Sequence, residues 1–318
     1  MRHFIILLIL LCVYSYTSIQ AHEDSVTTNT AIGHYRPYSA DSPWNTPIGP
    51  DPLYDSQSKT ITDGMTGIFG VDPTRYTYPV YLITTATQTV RMRLSGVYSH
   101  VGRNGTALSL EKKIMIQVPI PPGAAPAKGK DGQIVFWNPV TGDEWGFWRV
   151  ESSWQDGIWR ARNGYHYNTR WNGFPPDRFL SRGAGVPYLL GLIRPWEIEQ
   201  GHIDHAIAFG MNYPSPLSIY PATKSDGKQL LPHHPPMGTR FQLDPTLTDA
   251  DFRRWGLDRT GRIIALAMQK YGMILIDRSG HPKLYAEYNG TADWDDTLDN
   301  NTVRAIPYSA LRMLRPEK

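Results

Sequence analysis

Alternation of apolar and polar positions is the clearest periodic signal in the chain. In TVRMRLS (89–95), Val90, Met92 and Leu94 fall on one side of an extended segment and Arg91 and Arg93 on the other, predicting a strand with one buried face. YPVYLITT (78–85) and KIMIQVPI (113–120) have the same strand character. QIVFWNPVTGDEWGFWRVE (133–151) predicts a hairpin turning at Asn138–Gly142, and Asp156-Gly157 marks a second hairpin just beyond it. MILID (273–277) predicts a buried strand, and GHIDHAIAFG (201–210) a short apolar one.

Helical spacing is rarer. Ile263, Ile264, Ala267, Met268 and Tyr271 recur at helical intervals, and Gly272 stops the run. Thr248 followed by Asp251 suits a capping box, and Pro195 can open a single turn over PWEIEQ (195–200). No fixed-period repeat or composition break divides the chain. The expected fold is mainly β: an antiparallel β-sandwich, jelly-roll-like, with one or two packed helices, in a single domain over 43–318. Residues 22–42 are polar and aperiodic and predict a flexible N-terminal segment.

The start of the chain changes the picture of where the protein works. MRHFIILLILLCVYSYTSIQA has a basic opening, an apolar run from Phe4 to Tyr14 and a small residue at Ala21, which predicts a signal peptide over 1–21. The expectation is a secreted product, extracellular or periplasmic. No later segment is apolar long enough for stable membrane insertion. The only cysteine, Cys12, lies in that leader, so stability must come from a large core or from metal rather than disulfides. Net charge is +3 without a basic block, which argues against nucleic acid as partner, and a monomer is expected. Ten Trp and eighteen Tyr beside 26 Pro and 28 Gly fit a loop-rich β protein with aromatic surfaces to spare.

Candidate chemistry falls in two stretches. If 201–210 is a strand, Ile203, His205, Ile207 and Phe209 share one face and His202, Asp204, Ala206 and Ala208 the other. His205 and Asp204 are then acid–base candidates, because imidazole titrates near neutral pH. His202 with Asp204 has spacing that suits a divalent metal if His233, His234 or Asp277 adds a ligand, although no cofactor is required. The alternative is a strand end whose His and Asp only bond neighbouring loops. The second stretch is aromatic. Trp145, Trp148 and Trp159 offer flat faces to sugar rings, with Arg93 and Asn168 to pair hydroxyl or carboxyl groups. The competing role for those Trp residues is core filling. Glu144 or Glu151 with Asp204 or Asp277 could form a hydrolytic pair. His166 and Tyr167 are second candidates for the base in proton abstraction beside a uronate carboxylate, with Arg91, Arg93 or Arg162 to neutralise it and His100 as a further base. Cleavage after Ala21 would expose His22 as an N-terminal copper ligand. Phosphate-loop and G-x-S-x-G patterns are absent.

SPWNTPIG, GAGVPYLLGLIRPWEIEQGHIDHAI, YPATKSDG, PPMGTRFQLDP and ALAMQKYGMILID together resemble a largely uncharacterised group of secreted microbial proteins. More loosely, in composition and architecture, the chain is similar to secreted β-sandwich enzymes that degrade polysaccharides. That resemblance carries no transferable catalytic motif. It implies a polysaccharide partner and cleavage by β-elimination or hydrolysis. The rival expectations are a non-catalytic glycan-binding or cell-envelope module, and a structural envelope protein whose Trp residues are all core.

Overall fold

The computed structural model describes residues 34–102, 114–151, 156–175 and 181–316. The signal-peptide stretch and His22 lie outside the described residues. Strands hold 25% of the chain and helices 13%, so the mainly-β expectation stands at that level.

Among the described residues three sheets carry the fold, and none of them closes on itself. The largest has six strands. At its centre are β9 (Ile207–Met211) and β11 (Met273–Arg278), flanked by β12 (Lys283–Leu284) and β1 (Gly70–Val71) on one side and β10 (Arg240–Leu243) and β13 (Leu311–Met313) on the other. A four-stranded sheet joins β2 (Val80–Leu82), β5 (Ile134–Trp137), β6 (Asp143–Trp148) and β8 (Asn163–Asn168). A three-stranded sheet joins β4 (Ile114–Pro119), β3 (Thr89–Leu94) and β7 (Trp159–Ala161).

The expectation of antiparallel sheets holds only in part. β9 with β11, β1 with β12, β2 with β5 and β3 with β7 are all parallel pairs. Parallel neighbours need long crossovers, and here those pass through other strands and, between β9 and β11, through two helices, a routing that no local periodicity announces. Four α-helices are described rather than one or two: α1 (Ser58–Asp63), α2 (Pro195–Gln200), α3 (Asp249–Arg254) and α4 (Arg259–Lys270). None is long and apolar enough to cross a membrane.

Local chemistry explains where the elements stop. In α3 the Thr248 N–H and hydroxyl both donate to Asp251 Oδ2, at 2.8 and 2.7 Å, closing the expected capping box. The apolar stripe of α4 buries Ile263, Ile264, Ala267 and Met268. The hairpin of β5 and β6 turns at 138–142 as the sequence predicts; Asn138 Oδ1 accepts the Val140 and Thr141 N–H groups.

The predicted strand over 201–210 is only half present. Helix α2 ends at Gly201 in the left-handed region (φ 91°), and the strand begins at Ile207, so His202, Asp204 and His205 sit in a turn and not on alternating faces. The expected tail is also partly built in: Tyr38 is buried and its hydroxyl donates to Glu144. Its backbone N–H donates to Thr169 O.

Each face of the four-stranded sheet has its own core. Ile134, Phe136 and Phe147 meet Met92, Leu94 and Val118 of the three-stranded sheet. Val135, Trp137, Tyr165 and Tyr167 face the other way, into the large cluster built on β9, β11 and α4. Period-two alternation within β5, β6 and β8 splits the two cores.

Candidate functional site

The parallel strands β9 and β11 end in an irregularity. Leu275 lies opposite Phe209, but Asp277 lies opposite Gly210, so one extra residue, Ile276, is accommodated in β11. Such a bulge reverses the facing of the residues beyond it, and here it delivers the Asp277 side chain to the wall of a cleft. Gly210 leaves room for that arrangement: a Cβ there would sit 3.1 Å from Ser279 Oγ and 3.2 Å from the Tyr285 hydroxyl.

The cleft has a volume of about 920 Å³, at the upper end of the range for small-molecule sites. It is bounded by the segment after β1, the ends of β6 and β7, the β11–β12 connection and two irregular loops carrying Arg182 and Lys224. Seven Lys and Arg side chains line it against four Asp. Two residues of its lining, Tyr76 (φ 53°) and Arg149 (φ 54°), hold left-handed backbone, a strain that persists where surrounding structure imposes it.

Asp277 and Asp226 lie side by side, both reaching the Arg278 N–H and Gly183. The Arg278 N–H lies 3.1 Å from Asp277 Oδ1 and 3.4 Å from Asp226 Oδ2. Both carboxylates press on the Cα of Gly183, where a Cβ would fall 2.6 Å from Asp277 Oδ1 and 3.0 Å from Asp226 Oδ1. Burial first, and then the Asp226 charge, push the Asp277 carboxyl well above the usual range, while Arg182 and Lys224 oppose the shift. The Asp277 carboxyl therefore keeps its proton more firmly than an ordinary aspartate.

The cations around the pair are held firmly. Arg182 is 1% exposed; its Nε donates to the Tyr78 hydroxyl (3.2 Å) and its Nη1 to Pro187 O and Leu190 O (2.9 Å each). Its Nη2 has no hydrogen-bond partner among the described residues. Lys224 Nζ donates to Arg182 O (2.6 Å) and Gly183 O (3.2 Å), and burial holds its pKa below the ordinary lysine value. Lys283 Nζ donates to Tyr76 O (2.9 Å) and lies 4.6 Å from the centre of the Tyr285 ring. Burial pulls the Lys283 pKa down to about 8, against the opposing charges of Asp72, Asp277 and Asp131. The Tyr285 hydroxyl is 3.4 Å from Asp277 Oδ2. On the opposite wall the Arg149 guanidinium lies 4.4 Å over the Trp148 ring, and Trp148 Nε1 donates to Asp131 Oδ1 at 3.2 Å.

Of the residues singled out from the sequence, Trp148, Arg162 and Asp277 line this cleft. The others are elsewhere. His205 is 5% exposed, with Nε2 2.9 Å from Glu197 Oε1 and Nδ1 2.9 Å from Ala206 O. Glu197 also closes the start of α2, its Oε2 accepting the Arg194 N–H at 2.8 Å. Burial alone would lower the His205 pKa, but the Glu197 carboxylate outweighs it and the net shift is upward. Asp204 pairs with His202 (3.1 Å) and Lys270 (3.3 Å) at the edge of a separate, shallower groove. Glu144 is fully buried: it accepts the Tyr38 and Tyr165 hydroxyls and the Tyr188 and Leu189 N–H groups, the latter at 3.1 and 3.2 Å. That carboxylate joins the N-terminal segment, β8 and the loop before α2.

His166 stacks on Trp145 at 3.9 Å, with Nε2 3.0 Å from Asp143 Oδ1, and burial lowers its pKa despite that partner. Tyr167 is buried edge-on against Trp171. Trp159 packs edge-on over Phe136, Arg93 stands on the exposed side of β3, and Asn168 binds Thr141 O and the Arg170 N–H in a turn. Among the described residues no group of three or more His, Cys, Asp or Glu side chains is placed to hold a metal ion.

Lys224, Asp226, Arg182, Lys283 and Tyr285 were not picked out from the sequence. They lie on loops or two-residue strands, where no periodicity marks them. The one available signal was compositional: charged residues set among glycines in SRGAG and KSDG.

No protein-family model matches the chain, and neither does any curated protein or solved structure it was compared with.

Proposed function

We propose that the protein is a secreted carbohydrate-active enzyme that cleaves a polysaccharide in the cleft beside Asp277, by β-elimination or hydrolysis. The observation that carries this reading is Asp277 beside Asp226, a carboxyl with a raised pKa set in a cleft of about 920 Å³ between aromatic and cationic walls. A carboxyl whose pKa is raised by burial is suited to protonate a leaving glycosidic oxygen. Trp148 and Tyr98, both partly open to the cleft, offer faces on which sugar rings stack. The acid–base role thus moves from His205, Asp204, Glu144, His166 and Tyr167 to the aspartate pair and its neighbours. In the same reading the four- and three-stranded sheets, which share one apolar cluster, form a small β-sandwich. The protein acts as a monomer outside the cytoplasm, with no nucleic-acid partner and no metal demanded by the chemistry.

The test is incubation of the purified protein with a panel of neutral and acidic polysaccharides, following reducing ends and the ultraviolet absorbance of unsaturated products. The expected result is cleavage of at least one polymer, reduced about 100-fold or more in Asp277→Asn. Binding with no bond cut at any enzyme concentration would refute it in favour of a non-catalytic glycan-binding or cell-envelope module.

A further inference from the structure

We propose, resting on the polysaccharide-cleaving reading above, that the substrate is a polyuronate and that its chain is broken by β-elimination, with Lys283 as base and the Asp226–Asp277 pair as acid. Three observations point this way. The cleft carries seven cationic side chains against four aspartates, so it is built for an anionic ligand. Arg182, almost wholly buried, keeps one guanidinium nitrogen unpaired after its other donors are used by Tyr78, Pro187 and Leu190. A buried guanidinium with charge left over beside the cleft favours a carboxylate ligand there. Finally, hydrolysis by two carboxylates needs them about 5–9.5 Å apart, with water or the sugar ring between. Asp226 and Asp277 instead touch each other across Gly183, which leaves no such gap.

The step balances within the cleft. Arg182 and Lys224 neutralise the uronate carboxylate, which acidifies the neighbouring C5–H. Neutral Lys283 takes that proton, the C–H electron pair becomes the C4=C5 double bond, and the C4–O pair leaves with the glycosidic oxygen. That oxygen receives the proton held by the aspartate pair. Lys283 has then gained one proton and the pair lost one. Tyr285 packs its ring against Lys283 and its hydroxyl against Asp277, and exchange with solvent after product release returns both groups to their starting protonation. No water, oxidant or metal is consumed.

The experiment uses the full protein with polygalacturonate, alginate and a glucuronan, each beside its carboxyl-reduced counterpart. Unsaturated ends are expected from at least one polyuronate and none from the reduced polymers. Lys283→Arg, which keeps the charge but cannot act as a base near neutral pH, is expected to fold and lose at least about 100-fold in kcat. Lys224→Met is expected to raise KM for the polyuronate. Reducing ends without unsaturation, equal cleavage of the reduced polymers, or full activity in a folded Lys283→Arg would overturn this inference and leave polysaccharide cleavage standing. Failure to cut any polymer in the wider panel would overturn both.

Discussion

Replacing His205 with Ala separates a structural histidine from a catalytic one. The imidazole and the Glu197 carboxylate form a buried pair, with side-chain exposures of 6% and 2%, and neither lines the Asp277 cleft. Deleting the imidazole leaves the Glu197 carboxylate buried, accepting the Arg194 N–H but without the ring donor that met its Oε1. Removing one member of a buried ion pair costs about 3–5 kcal/mol. For a domain of this size each kcal/mol moves the midpoint by about 2 °C, so a fall of roughly 6–10 °C in Tm is expected by calorimetry or circular dichroism. Glu197→Gln combined with His205→Gln should recover part of that loss, because no uncompensated charge remains. Below the new transition, cleavage at saturating polysaccharide should match wild type within about twofold. A variant that keeps the wild-type Tm but loses activity would refute this reasoning and return His205 to the reacting centre.

The same pair sets a pH dependence of stability. The His205 pKa is raised on folding, so its contribution is complete below the unfolded value of about 6.5 and is lost as pH rises through the higher folded value; a Tm–pH scan should show that loss in wild type and not in His205→Ala. Gly183→Ala should fold but lose activity by about 10-fold or more, since its Cβ would displace both Asp226 and Asp277; unchanged kcat/KM would mean the pair plays no part in turnover. Glu144→Gln presents an amide to a site with four donors and should cost about 2–4 kcal/mol in denaturant titrations, and an unaffected midpoint would count against its structural role. If Lys283 is the base, the rate should rise with pH through about 8, because only the neutral amine accepts a proton; a flat profile from pH 6 to 9 would remove it from the mechanism.

Much of the local structure was legible because its cause is local. The β5–β6 hairpin, the capping box at Thr248, the α4 stripe and the burial of β11 each arise from residues within a few positions of one another. The 201–210 segment misled because its apolar residues alternate with His and Asp, yet Gly201 in the left-handed region ends a helix there and delays the strand to Ile207. His205 stood out as an ionisable group among apolar neighbours, but its partner, Glu197, is supplied by the preceding helix, and strand periodicity says nothing about that. The cleft was mostly hidden for a different reason. Asp226, Arg182 and Lys283 come from three segments far apart in sequence and meet only through parallel pairings and loop crossovers. Trp148, Arg162 and Asp277 were visible individually because aromatic and charged residues at strand ends are conspicuous. Nothing in the linear pattern joined them.

The slip between β9 and β11 makes chain length, as much as side-chain identity, a determinant of chemistry. Deleting Ile276 would let the two strands pair evenly to their ends, and Asp277 would then swing to the far side of the sheet, away from Asp226 and Tyr285. One surplus residue in the middle of the most deeply buried sheet therefore works as a spacer, and a shortened strand could fold well while losing its acid altogether.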